Sequence, residues 1–292
     1  MEAFLHQVFA GLATGGIYAS LALALVMIHN ATRLVNFAQG EMAMFATYLC
    51  WTMIQAGWPY WGAFFATVVL SFVLGVAIER ILIRPVERAP VLTTVVVFIG
   101  LLLILNSVAG WIYTYTIKSF PSPFPSKAPF GLTIVSAHEL GAIGVTLVVL
   151  LLVYLFFRFT PLGLAMRAAA QNPDSSRLVG INAGYMLMLG WALASALGAL
   201  AGTLVAAQST GFDASLMASV LVYAFAAAAL GGFDSPLGAV IAGLFVGIAD
   251  ALTKQYINAL SGIEVIVPLG LILIVLLVRP TGLFGRRTVE RV

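Results

Sequence analysis

The chain has 292 residues, of which 62% are hydrophobic and only 9% charged. A soluble domain carries roughly a quarter charged residues, so this composition excludes a globule that covers itself in water. The net charge of +3 sits in short clusters between apolar blocks, without a basic stripe interleaved with aromatics, which excludes a nucleic-acid partner.

A hydrocarbon core about 30 Å thick takes roughly 20 helical residues to cross. Nine apolar segments read that way, over about 8–28, 41–56, 60–79, 91–112, 141–157, 184–207, 216–230, 237–253 and 263–278. They predict an all-α polytopic membrane protein of about eight to ten spans, in one domain over 1–292. The N-terminus lacks a Lys/Arg-rich region and a small-residue cleavage site, so 10–28 reads as a first span and not a cleaved signal. Segments 41–56 and 216–230 are short and adjoin Gly-bearing polar stretches, so each reads as a full crossing or as half of a broken helix.

Alternating the spans places all eleven arginines, from Arg33 to Arg291, on one side. The three lysines, Lys118, Lys127 and Lys254, fall on the other. By the positive-inside bias, the N-terminus is expected outside and the C-terminus in the cytoplasm. The loops at 80–90 and 158–183 are then internal, and the loop at 113–140, with Pro121, Pro123, Pro125 and Pro129, is external. Those prolines favour an extended backbone, either a stiff lid or a contact for an external partner. Gly11 with Gly15, Gly198 with Gly202, and Gly243 with Gly247 have the spacing that lets helices approach closely in lipid. Cys50, the single cysteine, is expected as a buried thiol.

Three polar stretches stand out. The first holds Asn36, Gln39, Gly40 and Glu41 after the first span. It reads equally as a capped helix start at the cytoplasmic interface or as a pore-lining break. Glu41 would be favoured by the positive end of the following helix. The second is 158–182. There 163–171 has helix-forming composition, with Leu162, Met166 and Ala169 or Ala170 along one side. Asn172, Pro173 and Asp174 follow as N-cap, first position and first-turn acid of another short helix carrying Leu178 and Val179. Such a pair suits docking in a partner's groove or lying on the lipid surface. The third holds Gly231, Gly232, Asp234 and Ser235 before Pro236, either a plain loop or a re-entrant turn near a substrate path.

No phosphate-cradling G-x-x-x-x-G-K-[ST] motif occurs, and His6, His29 and His138 lack metal-ligand spacing, so neither an enzyme nor a metal site is expected. Few ionisable residues remain inside spans. Asp250 and Glu264 lie towards outer helix ends and are expected to reach water, which speaks against a proton relay.

At these residues the chain resembles the permease subunits of branched-chain amino acid ABC importers. The matching stretches run end to end. They include Gly16-Ile17-Tyr18-Ala19, Asn36 to Glu41, Thr160-Pro161-Leu162-Gly163, Arg167-Ala168, Gln171-Asn172 and Gly180-Ile181-Asn182. Gly231-Gly232 through Gly238-Ala239 and Arg279-Pro280-Thr281-Gly282-Leu283-Phe284-Gly285 complete the series.

The resemblance implies a bacterial inner-membrane machine. A second related permease pairs with this one, two cytoplasmic ATP-binding subunits hold ATP and Mg, and a periplasmic substrate-binding protein delivers the cargo. It further implies that Leu162, Gly163, Met166, Arg167, Gln171, Asn172, Asp174, Leu178, Val179 and Gly180 couple to the ATPases. Related permeases carry urea, short amides or other amino acids. A secondary transporter or channel without ATPases, and a scaffold that transports nothing, are the competing classes.

Overall fold

A computed structural model of the chain describes residues 2–87, 89–124, 135–209, 211–257, 263 and 266–285. The helices are α1 (Glu2–Thr32), α2 (Gln39–Gln55), α3 (Tyr60–Ile78), α4 (Val91–Tyr113), α5 (Ala137–Phe159), α6 (Pro161–Gln171), α7 (Pro173–Leu178), α8 (Ala183–Gln208), α9 (Leu216–Gly231), α10 (Pro236–Tyr256) and α11 (Ile266–Val278). Among the described residues each expected apolar segment contains a helix, and the chain is an all-α polytopic membrane protein. Six helices among the described residues are long and apolar enough to cross a bilayer. Among the described residues the one bridge of β type joins Lys118 to Phe212.

The helix starts follow the local chemistry. The Ser136 hydroxyl accepts from the Glu139 N–H, and Glu139 bonds back to the Ser136 N–H, a reciprocal cap for α5. Thr160, Asn172, Asn182 and Ser235 cap α6, α7, α8 and α10 through their side-chain oxygens alone, three of them followed by proline.

Helices α1 and α8 are buried nearly all round, while α4 and α5 are largely exposed, as expected of a bundle centre and a lipid-facing rim. Two crossings hold the centre together. A Cβ placed on Gly11 would lie 2.7 Å from the Ile248 Cα, and one on Gly15 would lie 2.9 Å from the Leu244 Cα. The glycines of α1 and α10 therefore seat the two backbones against each other, and Gly198 and Gly202 of α8 receive α2 at Ala43 and Thr47.

Three expectations need correction. The loop set at 80–90 starts late, because α3 continues through a π turn (Glu79–Ile83) and a 3₁₀ turn (Arg84–Val86). Asp250 does not reach water directly, since the α1–α10 crossing leaves it 3% exposed, and Lys254 pairs with it at 2.8 Å. Leu162 does not share the inward side with Met166 and Ala169. Gly163 is the residue pressed against the end of α5 at Phe157, which turns Leu162 outward. Arg88, Pro125, Lys127, Pro129, Glu264, Arg286, Arg287 and Arg291 lie outside the described residues.

Candidate functional site

The depth of α2 decides what Glu41 does. Gln39 donates from Nε2 to the Ala194 carbonyl at 2.9 Å, and Ala194 lies near the middle of α8. Helix α2 therefore begins at mid-depth and not at the Arg-rich end of the bundle. Its 17 residues rise about 25 Å at about 1.5 Å each, enough to reach one surface only.

The returning segment is held by its own polar groups. Asn36 and Gln39 are fully buried, Asn36 donates to the Gln39 Oε1 at 3.3 Å, and the Ala38 N–H donates to the Asn36 Oδ1 at 3.0 Å. Each buried amide thus has partners, as the low dielectric demands. Gly40 lies against Leu221 and the Met217 carbonyl of α9.

Glu41, in the first turn of α2, is half-buried, and Asn106 of α4 donates from Nδ2 to its Oε2 at 3.1 Å. The same amide lies 3.2 Å from the Ala214 carbonyl, just before α9. A carboxylate, a carboxamide and the starts of two short helices thus meet inside the bundle. The Ser215 side chain does not cap α9; its N–H and hydroxyl both donate to the Asp213 Oδ1, at 2.8 and 2.7 Å. Ser215, Ala218 and Ser219 there are exposed, as is Ser107 beside Asn106. This leaves a polar patch at a depth where the neighbouring exposed residues are Leu103 and Ile104.

The third stretch lies at the Arg-rich end. Gly232 has φ 98°, a left-handed conformation that favours glycine. Asp234 pairs with Arg33 at 2.9 Å, so the two polar breaks are joined to each other. The Leu283 and Phe284 N–H groups donate to the Leu230 and Gly231 carbonyls at 2.9 and 3.2 Å. The Gly-rich C-terminal motif therefore closes the end of α9. The Ser235 hydroxyl accepts from the Gly238 N–H.

Helices α6 and α7 form the second candidate site. Gly163, Met166 and Ala169 face the body, whereas Arg167, Gln171, Asn172 and Asp174 are exposed. Leu178 and Val179 are 89% and 75% exposed, and Gly180 turns the chain at φ 85°. Arg177 and Asp174 pair at 3.5 Å on the surface.

Sequence reasoning missed two groups. Asn106 is a lone amide inside the apolar run Leu-Ile-Leu-Asn-Ser, and that interruption is the signal that could have found it. Glu79 is fully buried; Arg84 donates to both its carboxylate oxygens at 3.1 and 3.2 Å and to the Gly184 carbonyl at 3.2 Å. This clasp ties the end of α3 to the start of α8, directly after α7. Among the described residues no group of His, Cys, Asp and Glu could hold a metal ion.

A bundle with a hydrogen-bonded carboxylate at mid-depth, and a folded helix pair offered at one end, defines a membrane transport subunit. Residues 7–276 match the family described as branched-chain amino acid transport system / permease component, and the chain belongs to that family, one of transport permeases and not of enzymes.

It is 31% identical to the high-affinity branched-chain amino acid transport system permease protein LivH of Escherichia coli K12, covering 99% of this chain and 98% of that one. It is 29% identical to the corresponding BraD of Pseudomonas aeruginosa, with the same coverage. Among solved structures, PsaBC from Streptococcus pneumoniae in complex with Fab matches with TM-score 0.52 and 14% identity over 93% of this chain and 91% of that one. That likeness concerns the fold alone.

Proposed function

We propose that the chain is the membrane-spanning subunit of an ATP-driven importer of branched-chain amino acids, and that its polar mid-depth face lines the path. The observation carrying this reading is the Glu41–Asn106 pair at the meeting of α2 and α9. An amino acid crosses as a zwitterion. Glu41 suits its ammonium group, and the first turn of α9, past Asp213, suits its carboxylate, because the first N–H groups of a helix carry partial positive charge. Ser215 and Ser219 supply hydroxyls along the same face. Asn36, Gln39 and Gly40 hold the break open, and Gly231, Gly232, Asp234 and Ser235 hold its counterpart at the inner end through Arg33.

The face is half a conduit. A second, related permease supplies the other half. Of two ATP-binding subunits, which hold ATP and Mg, one docks on α6 and α7 in the loop at 158–183, with Leu178 and Val179 entering an apolar groove. A periplasmic binding protein delivers substrate near the loop at 113–140. This assembly places the N-terminus outside and the C-terminus in the cytoplasm of a bacterial inner membrane, with one permease domain over 1–292.

The test is uptake of labelled leucine, isoleucine and valine by proteoliposomes holding the complete assembly. Glu41→Ala is expected to lower uptake without reducing assembly. Unchanged uptake kinetics remove Glu41 from the path.

A further inference from the structure

A groove of about 560 Å³ opens on the side of α1 and α8 where α5, α6 and α10 come together. That volume lies within the roughly 300–1,000 Å³ of small-molecule sites. Its walls are apolar, with Leu23 and Met27 of α1 at the back and Leu147, Leu151, Tyr154 and Leu237 along the rim. Leu147, Leu151, Tyr154 and Leu237 are each more than half exposed, so no described residue covers the groove.

The mouth differs from the walls. Arg158 at the end of α5 and Arg167 on α6 both line it, together with Glu87 and Asn30. Among the described residues neither guanidinium has an ion-pair partner, although each is exposed. Two free guanidiniums against one carboxylate leave the mouth net positive.

We infer that this groove binds one anionic phospholipid of the inner leaflet, with its acyl chains in the slot and its phosphate between Arg158 and Arg167. An apolar slot asks for hydrocarbon, and a forked cation at its mouth asks for phosphate, which arginine grips in bidentate fashion. A basic pocket between membrane helices is the known setting for such headgroups. The lipid bridges α5, α10 and α6, so it steadies the helix that carries the proposed coupling surface. The leaflet rests on the proposed topology; binding itself does not.

Native mass spectrometry of the detergent-purified assembly tests this, with phosphatidylglycerol and phosphatidylethanolamine of identical chains added in turn. The wild type is expected to retain phosphatidylglycerol in preference. Losing two interfacial arginines at about 1 kcal/mol each corresponds to roughly twenty- to thirty-fold weaker retention in R158Q/R167Q, and R158K/R167K should keep most of the binding. Leu151→Trp, at an exposed rim position that tolerates bulk, should fill the slot and lower retention with both arginines intact.

Equal retention of the two lipids by the wild type, or undiminished phosphatidylglycerol in both R158Q/R167Q and Leu151→Trp, overturns the proposal. So does wild type that carries no lipid because a neighbouring subunit's helix fills the groove, or that binds glycerol phosphate as tightly as the lipid. Thiol labelling of Ser175→Cys from each side of sealed vesicles reads the topology separately. An external label there would refute the assigned leaflet and leave the lipid result standing.

Discussion

Replacing Asn106 with leucine removes the side chain that bonds both the Glu41 carboxylate and the Ala214 carbonyl. The shape of the α4 surface is nearly kept, because leucine and asparagine are of similar length. The bond to Glu41 is 3.1 Å long and the one to Ala214 is 3.2 Å. A hydrogen bond to a charged group contributes about 1.5–3 kcal/mol, and a carbonyl left unpartnered costs about 1–3 kcal/mol more where water cannot reach it.

If the orientation of Glu41 sets the ammonium site, a loss of about 2 kcal/mol in substrate stabilisation lowers uptake by roughly thirty-fold. The assay is the initial rate of labelled leucine uptake by proteoliposomes, normalised to the amount of assembled complex. Asn106→Gln, which keeps the amide on a longer arm, should recover part of the loss. Uptake by Asn106→Leu within twofold of wild type at equal assembly would refute the role given to this pair.

Other perturbations separate packing from coupling. Gly15→Leu drives a side chain into the Leu244 backbone and should abolish folded protein in a detergent melting assay. Gly100→Ala, with open space around its Cβ, should leave the melt unchanged. Leu178→Asp with Val179→Asp should leave insertion intact and remove the ATP-binding subunits from affinity-purified material. Gly180→Val, at φ 85°, should uncouple ATP hydrolysis from uptake. Arg84→Ala strands the buried Glu79 carboxylate and should destabilise the subunit by about 3 kcal/mol, with Glu79→Gln/Arg84→Gln recovering much of it in the same melting series. Asp234→Asn breaks an exposed pair and should shift stability by less than about 1 kcal/mol.

Helices and their ends were legible because they are local events. Asn172, Pro173 and Asp174 announce a cap, a first position and a first-turn acid, and α7 begins as they dictate. The glycine pairs of α1 and α10 announce close crossings, although spacing alone does not say that the two pairs meet each other. What the sequence left open was depth. Whether Glu41 starts a helix at the interface or in the middle of the bundle depends on Gln39 reaching the Ala194 carbonyl, a contact across 155 positions of chain.

Asn106 was hidden for the same reason, since its partners lie on α2 and before α9. Glu79 is the last residue of the apolar block 60–79, where a carboxylate is expected to meet water at the membrane surface. Only the π turn that carries α3 onward keeps it buried beside Arg84. Asp250 was misplaced because position along a helix predicts solvent contact only when nothing packs over it.

On the proposed function this subunit draws its power from ATP-binding partners, and reconstitution reads that dependence directly. Proteoliposomes containing the chain with its second permease and ATP-binding subunits should take up leucine only when ATP is supplied on the side bearing 158–183 and binding protein on the other. Leucine flux through the chain alone, driven by a gradient and indifferent to ATP, would contradict the account.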